Sequence, residues 1–171
     1  MQYGQALEYA AYKPQSDPKI VLAAVSNGGT QYSSRPLSIL KYADKSLWSD
    51  PKIVAAAINN IPKAAGHTRS NFETGSLVTE ILEFVDESLR ANRKVVLAAV
   101  KKNGCGLAYA DKKFRSDPKI VLAAVKKGNG ALKYASKSLK SDPKIVLAAV
   151  KQNGHALEYA SKRLKSDSKF M

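Results

Sequence analysis

The sequence predicts an all-α fold, an α-solenoid of about six helix-turn-helix units of 25 residues, and a repeated motif is the main reason. The motif S-D-P-K-I-V-L-A-A-V is complete at 16–25, 116–125 and 141–150 and looser at 49–58 and 91–100. Its serines Ser116, Ser141 and Ser166 are 25 residues apart. Each copy also carries start and stop signals of a helix, so the repeating unit contains at least one helix.

The apolar run from Ile145 to Val150 is called helix B, although its lack of polar residues fits a buried strand equally well. Its flanks favour a helix, because Asp142 is a good N-cap and Pro143 suits the first helical position. Asn153 and Gly154 tolerate the left-handed conformation that ends many helices. Glycines take the same position in other units, at Gly4, Gly29 and Gly104.

A second, amphipathic helix, helix A, is predicted before each helix B. Ala131, Leu132, Ala135 and Leu139 fall within about 100° around a helix axis. Because one such hairpin cannot bury a fully apolar helix B, neighbouring units are expected to stack on both of its sides.

The pattern A-L-x-Y-A-S-x-x-L-x-x-D-x-x-I-V-L-A-A-V-x-x-N-G, clearest at 131–154, resembles the repeat catalogued as domain of unknown function 4116. This resemblance implies tandem helical repeats and supplies no catalytic residues. That family commonly has an acidic residue after the helix start, where this chain has lysine, as at Lys19, Lys52, Lys119 and Lys144.

One domain, 1–171, is predicted, with units near 4–28, 37–60, 76–104, 105–129 and 130–154 and a partial unit at 155–171. Two insertions interrupt the first half, both between helix B and the next helix A. The first adds eight residues around Gly29–Pro36. The second adds 17 residues after Ile58, and the following helix A is predicted to run from a Ser76 cap to Leu89.

Equivalent turns of a solenoid lie along one edge, so the two insertions are expected to lie side by side. Either they are tolerated surface loops, or they form a partner-binding rim, which is where binding residues commonly lie on a rigid scaffold. The candidate residues of this rim, with the nearby Trp48, are Tyr32, Arg35, Trp48, His67, Arg69 and Phe72. Trp48 is a candidate core residue as well as a candidate contact residue.

The charge is concentrated in the regular half: residues 1–85 carry a net charge of +1 and residues 86–171 carry +13. Many of these basic residues are predicted in last helical turns, where they complement the helix dipole: Lys126, Lys127, Lys137, Lys140, Lys162, Arg163 and Lys165. Lys94, Lys119 and Lys144 instead fall in the first turn of helix B, where the dipole disfavours a cation. They are the candidate ladder for an anionic partner.

One aromatic residue per unit follows the leucine of helix A: Tyr9, Tyr42, Phe84, Tyr109, Tyr134 and Tyr159. Such a column can stack nucleic-acid bases. Its position beside the apolar arc favours packing against the neighbouring unit.

The sequence predicts a protein that is not an enzyme and binds no metal or cofactor. His67 and His155 are far apart, Cys105 has no nearby histidine, and no phosphate-binding glycine loop occurs. Neither a signal region nor a membrane span is found at the N-terminus, so an intracellular, cytoplasmic protein is expected. The favoured function is a scaffold for a protein partner or an accessory subunit of a larger assembly, with no small-molecule substrate. The alternative is binding of nucleic acid or another anionic surface.

Overall fold

The computed structural model describes residues 12–27, 36–61, 71–128 and 130–167, and all regular elements within these ranges are helical, which confirms the all-α class. The α-helices are α1 (Tyr12–Ser16), α2 (Pro18–Asn27), α3 (Pro36–Tyr42), α4 (Pro51–Asn59), α5 (Asn71–Phe84), α6 (Arg93–Lys102), α7 (Lys112–Arg115), α8 (Pro118–Val125), α9 (Pro143–Gln152) and α10 (Lys162–Lys165). The 3-10 helices are η1 (Lys45–Ser49), η2 (Glu87–Ala91), η3 (Gly104–Tyr109), η4 (Ala131–Tyr134), η5 (Leu139–Ser141) and η6 (Gly154–Tyr159).

Helix B of the prediction corresponds to α2, α4, α6, α8 and α9. The helix start at Asp142-Pro143 is confirmed, because the Asp142 side chain accepts from the Lys144 N–H at 2.8 Å and the proline follows. Asp50 and Asp117 cap α4 and α8 in the same way. These caps satisfy backbone N–H groups that have no partner inside the helix.

Helix A is not the single amphipathic helix of the prediction. In the unit that contains Ala135, η4 ends at Tyr134 and η5 begins only at Leu139. Ala135 is extended, with φ −67° and ψ 155°, and the Ser136 N–H donates to the carbonyl oxygen of Arg115 in the preceding unit at 2.9 Å. The helix therefore breaks where its backbone binds the neighbouring unit.

This inter-unit hydrogen bond recurs at equivalent positions. The Asp111 N–H donates to the Arg90 carbonyl at 3.0 Å, and the Ser161 N–H donates to the Lys140 carbonyl at 2.9 Å. In these bonds the donor lies 21 residues after the acceptor. Asp44 makes the same bond to Gln15, 29 residues earlier, at 3.0 Å. The difference is the eight residues of the first insertion, so that insertion leaves the contact between its flanking units unchanged.

The turn after helix B also differs from the prediction. Asn153 is extended, with φ −156°, and its side chain caps η6 by accepting from the His155 N–H at 2.9 Å. Asn103 caps η3 in the same way. The described glycines with positive φ are Gly128 and Gly130, so Gly104 and Gly154 are not left-handed stops. Gly4 and Gly29 lie outside the described residues.

The long helix after the second insertion begins and ends earlier than predicted. Helix α5 spans Asn71–Phe84, so Ser76 lies within it and is not its cap. The helical conformation ends before Val85. The Asp86 side chain then accepts a hydrogen bond from the Ser88 N–H at 2.7 Å and caps the start of η2. A side chain that binds nearby backbone competes with helix continuation, which explains why the helix does not reach Leu89.

The core is a row of B helices that pack in chain order, α2 on α4, α4 on α6, α6 on α8 and α8 on α9. Helix α6 shows how each helix divides its two faces. Val95 and Ala99 belong to the core cluster of the preceding units, while Val96 and Val100 belong to the cluster of the following units. The four apolar residues of the predicted helix A arc are also buried.

The two ends of this row are less covered than its interior. Ile20 in α2 is 43% exposed, although the equivalent Ile53, Val95, Ile120 and Ile145 are at most 3% exposed. Leu147 in α9 is 44% exposed. The expectation that helix B is buried on all sides is therefore not met at Ile20 and Leu147, although the remaining core positions of both helices are buried.

Candidate functional site

The two insertions begin just after the C-terminal ends of α2 and α4, and these two helix ends are in direct contact. The Asn60 side-chain amide, just after α4, donates to the carbonyl oxygens of Val25 and Ser26 near the end of α2, to Ser26 at 2.6 Å. The Lys102 ammonium donates to the Ile61 carbonyl at 2.6 Å. Ser26 lies just before segment 28–35 and Ile61 lies just before segment 62–70, so both insertions start from one fixed place.

Most residues of the predicted rim lie within the insertions themselves. Tyr32, Arg35, His67 and Arg69 fall outside the described residues, as does the side chain of Phe72. Among the six rim candidates, the structure therefore describes the surroundings of Trp48.

Trp48 is part of a surface cluster that we call the aromatic patch, formed by Lys41, Trp48 and Phe84 together with the exposed Tyr42, which follows Lys41 in the chain. The rings of Trp48 and Phe84 meet edge to face, with centroids 6.1 Å apart and an interplanar angle of 88°. The Lys41 ammonium lies 5.6 Å from the Phe84 ring centroid, within the range of a cation–π contact. Phe84 is 50% exposed and Tyr42 is 37% exposed. The patch thus presents aromatic surface to solvent.

The patch lies on the two helices into which the insertions lead. Tyr42 ends α3, which follows segment 28–35, and Phe84 ends α5, which follows segment 62–70. A crevice with a volume of only about 10 Å³ lies between these helices, lined by Leu40, Lys41, Trp48, Ile81, Phe84 and Val85. This volume is far below the roughly 300 to 1,000 Å³ of small-molecule pockets, so the side chains of the patch are closely packed and a partner would bind on their exposed surface.

The aromatic column behaves differently in the two halves of the chain. Tyr109, Tyr134 and Tyr159 are partly buried and pack against the core clusters, as expected. The Tyr109 hydroxyl donates to Glu83 Oε1 at 2.8 Å, and this hydrogen bond raises the pKa of Tyr109. Phe84 also packs against the preceding unit, edge-on to Trp48, but it remains half exposed, and Tyr42 is 37% exposed. Tyr9 lies outside the described residues.

Sequence reasoning found Trp48 but missed Lys41, Tyr42 and Phe84 as members of one surface. A usable signal was present, because Tyr42 and Phe84 are the column residues of the two units that follow insertions.

Trp48 also donates a hydrogen bond to a backbone carbonyl of helix A, as a lysine does in other units. Its indole Nε1 donates to the Leu40 carbonyl at 2.9 Å. Lys140 Nζ donates to the Lys133 carbonyl at 2.7 Å, and Lys165 Nζ donates to the Glu158 carbonyl at 2.6 Å. These donors satisfy carbonyl groups near the break of helix A. Lys140 and Lys165 therefore do more than complement a helix dipole, and burial lowers the pKa of Lys140.

Lys94, Lys119 and Lys144 are exposed and stand in the first turns of α6, α8 and α9, as predicted. Within the described part of the chain, none of their ammonium groups forms an ion pair. Arg93 Nη1 pairs with Asp117 Oδ2 at 2.6 Å, which joins the N-terminal ends of α6 and α8. The three lysines thus lie along one end of adjacent parallel helices, while Lys101 and Lys151 lie at the other end.

The groups with catalytic potential are separate from this surface. Burial raises the pKa of the Cys105 thiol, which lowers its thiolate fraction. His155 and Glu158 lie 3.5 Å apart on exposed surface. No group of three His, Cys, Asp or Glu side chains suited to a metal occurs among the described residues. Across the same ranges, no helix is both long and apolar enough to cross a membrane.

The fold and surface define an all-α protein built from recurring short helices. A model of the family described as Domain of unknown function (DUF4116) matches residues 76–115 and 117–165, more than half of the chain. The chain belongs to this family. The match covers the regular half and Phe84, whereas Lys41, Tyr42 and Trp48 precede it. Comparisons with curated proteins and with solved structures give no match.

Proposed function

We propose that this chain is an α-solenoid of about six units that acts as a non-enzymatic scaffold and binds a protein partner through the aromatic patch and the two insertions. The solenoid assignment is supported by the packing of B helices in chain order and by the hydrogen bond that recurs between units. In a solenoid each unit contacts mainly its neighbours, which leaves long surfaces available for binding.

One observation carries the location of the binding surface. At the column position, Tyr109, Tyr134 and Tyr159 are packed, whereas Tyr42 and Phe84 are exposed. Aromatic residues are over-represented among the residues that dominate binding energy at protein interfaces. The exposed rings of Tyr42 and Phe84 therefore support a binding surface at this place.

The insertions supply side chains that differ between units, which the regular units lack. Identical units present the same side chains repeatedly and cannot by themselves select one position along the solenoid. Because Asn60 fixes the ends of α2 and α4 against each other, both insertions extend from a defined base. A partner that contacts the insertions and the patch together would bind in one register.

The test is quantitative affinity capture from the native host with the chain carrying Tyr42→Ser and Phe84→Ser together. Both side chains are exposed, so the double variant is expected to fold and to lose the partners that the unaltered chain captures. Leu147→Ser is the matched control, because it also removes an exposed apolar side chain but lies far along the chain from the patch. Full capture by the double variant would overturn the location, and equal loss with Leu147→Ser would show a general surface effect.

The unpaired lysines favour a second candidate function, binding of nucleic acid or another anionic surface. Lys94, Lys119 and Lys144 lie at equivalent positions and can contact successive anionic groups. Basic residues at both ends of the B helices, rather than on one side, make this the less favoured candidate. Binding measured across a salt series separates the two functions, because phosphate contacts make affinity strongly salt-dependent.

A further inference from the structure

The aromatic patch lies on elements whose charge is opposite to that of the chain as a whole. Residues 71–91, which span α5 and η2, contain five acidic residues and one basic residue, Arg90. Residues 36–49, which span α3 and η1, carry a net charge of +1. The two segments that bear the patch therefore carry a net charge of −3, although the chain carries +14.

Carboxylates lie before and after the exposed Phe84 along the chain. Glu80 is four residues before Phe84 in α5, so these two side chains share one face of the helix. Glu83 directly precedes Phe84, and Asp86 and Glu87 follow at the start of η2. Glu83, Asp86 and Glu87 are exposed, and none of the four carboxylates forms an ion pair with a described residue.

The patch already holds one cation of the chain itself. The Lys41 ammonium lies 5.6 Å from the Phe84 ring centroid. The face of an aromatic ring is negative and attracts cations, and the indole of tryptophan does so most strongly. Because the rings of Tyr42 and Phe84 remain exposed, aromatic surface is left for a cation that belongs to a partner.

We propose that the partner binds the aromatic patch through a segment that carries arginine, an inference that rests on the proposed function of the patch. A guanidinium group is planar, so it stacks on an aromatic ring while its N–H groups pair with a carboxylate. Phe84 and Glu80 offer a ring and a carboxylate on one helix face. An ammonium group is a point charge with no plane to stack, so arginine fits this surface better than lysine.

The basic remainder of the chain does not prevent this contact. At physiological salt the Debye length is about 8 Å, so a bound segment interacts mainly with the charges nearest to it. For the patch, the nearest elements along the chain are the two segments of net charge −3. An acidic segment would be attracted instead to residues 86–171, which carry +13.

Trp48 is the only tryptophan of the chain, so its fluorescence reports binding at the patch directly. Three synthetic peptides of identical length, in which arginine, lysine or glutamate alternates with serine, are titrated into the full chain at about 0.15 M salt. The arginine peptide is expected to shift the Trp48 emission and to bind about threefold more tightly than the lysine peptide. The glutamate peptide is expected to leave the emission unchanged.

Charge reversal tests the contribution of the Glu80 carboxylate. Glu80→Lys is expected to weaken binding of the arginine peptide about tenfold. Glu158→Lys is the matched control, because it reverses the charge of an exposed glutamate in η6, outside the two segments that bear the patch, and it is expected to leave the affinity unchanged. Far-UV circular dichroism checks that both variants keep their helical content.

Two results would overturn the inference: an unchanged Trp48 emission with the arginine peptide at every concentration, or an equal shift with the glutamate peptide. Equal affinities of the arginine and lysine peptides would overturn the choice of arginine. None of these results contradicts the proposed function itself. That function fails on a different observation, full capture of the native partners by the chain with Tyr42→Ser and Phe84→Ser.

Discussion

The indole of Trp48 lies edge-on to the ring of Phe84, with 6.1 Å between centroids, and donates its Nε1–H to the Leu40 carbonyl at 2.9 Å. The first contact joins α5 to the preceding unit, and the second satisfies a carbonyl near the break of helix A. Trp48 therefore holds together the surface on which the proposed partner binds.

Replacing Trp48 by phenylalanine separates these two contacts. Trp48→Phe retains an aromatic ring near Phe84 but removes the N–H donor, so the free energy of unfolding is expected to fall by about 0.5 to 1.5 kcal/mol. Trp48→Ala removes the ring as well and is expected to cost more. Urea unfolding of both variants measures the difference, and an unchanged stability of Trp48→Phe would show that the hydrogen bond contributes nothing net.

Gly104 and Gly154 occupy equivalent positions and provide a matched pair. A Cβ added at Gly104 would lie 2.5 Å from the Ala124 carbonyl oxygen and 2.6 Å from that of Gly128, whereas nothing lies within 4 Å at Gly154. Gly104→Ala is expected to destabilise the fold by about 1 to 3 kcal/mol, because backbone must move. Gly154→Ala is expected to be neutral or to stabilise by about 0.4 to 1 kcal/mol. Equal midpoints of thermal unfolding for the two variants would contradict the close packing at η3.

Local signals explain why the B helices could be predicted from the sequence. Asp142 accepts from the N–H two residues later, and Pro143 lies beside it, so both start signals act within a few residues. The break of helix A depends on a non-local bond, from Ser136 to Arg115 of the preceding unit. Ala135 and Leu139 are buried as the periodicity indicated, but periodicity cannot show that a backbone group leaves the helix to bind a neighbour.

Only part of the candidate site could be predicted from the sequence, because its contacts are also non-local. The aromatic spacing identified the column, and Trp48 stood out as the residue that replaces a basic one. Whether a ring of the column is buried depends on the side chains that the neighbouring unit places against it. The Tyr109 hydroxyl binds Glu83, while the Phe84 ring contacts the edge of Trp48 and the Lys41 ammonium, and no pattern within a single unit contains this difference.

The ion pair between Arg93 and Asp117 predicts a dependence of stability on pH. The Arg93 side chain is the main cause that lowers the pKa of Asp117 in the folded chain. A depressed folded pKa stabilises above the unfolded pKa of about 3.9, and this contribution is lost as pH falls through the folded value. Because Arg93 is half exposed, Arg93→Ala is expected to cost less than about 1 kcal/mol at pH 7.

Arg93→Ala and the unaltered chain are expected to have the same free energy of unfolding at a pH low enough to protonate Asp117 in both. Urea unfolding of the two chains between pH 7 and about pH 2 measures this convergence. Salt at about 1 M is expected to reduce the difference at pH 7 as well, because it screens an exposed pair. A difference that stays constant at all pH values would mean that Arg93 stabilises through packing and not through its charge.

Two variants separate the scaffold function from the nucleic-acid function, and the structure shows which residues each variant can change. Segments 28–35 and 62–70 are shortened to turns of the length found in later units. Asn60 is kept because it holds α2 against α4, and Asn71 to Gly75 are kept because they form the start of α5. The second variant changes Lys94, Lys119 and Lys144 to glutamine. Asn92, Asp117 and Asp142 bind the backbone N–H of these lysines, so the helix caps remain.

For a scaffold, the shortened chain is expected to fold and lose its protein partner, while the triple glutamine variant binds only modestly more weakly. For a nucleic-acid binder the order reverses, and losing three phosphate contacts reduces the slope of log affinity against log salt by about 2 to 3. The matched control changes Lys101, Lys126 and Lys151 to glutamine, the same loss of charge at the opposite end of the same helices. If the shortened chain binds its partner at full strength across the salt series, the insertions are not the binding surface and the scaffold function as proposed is wrong.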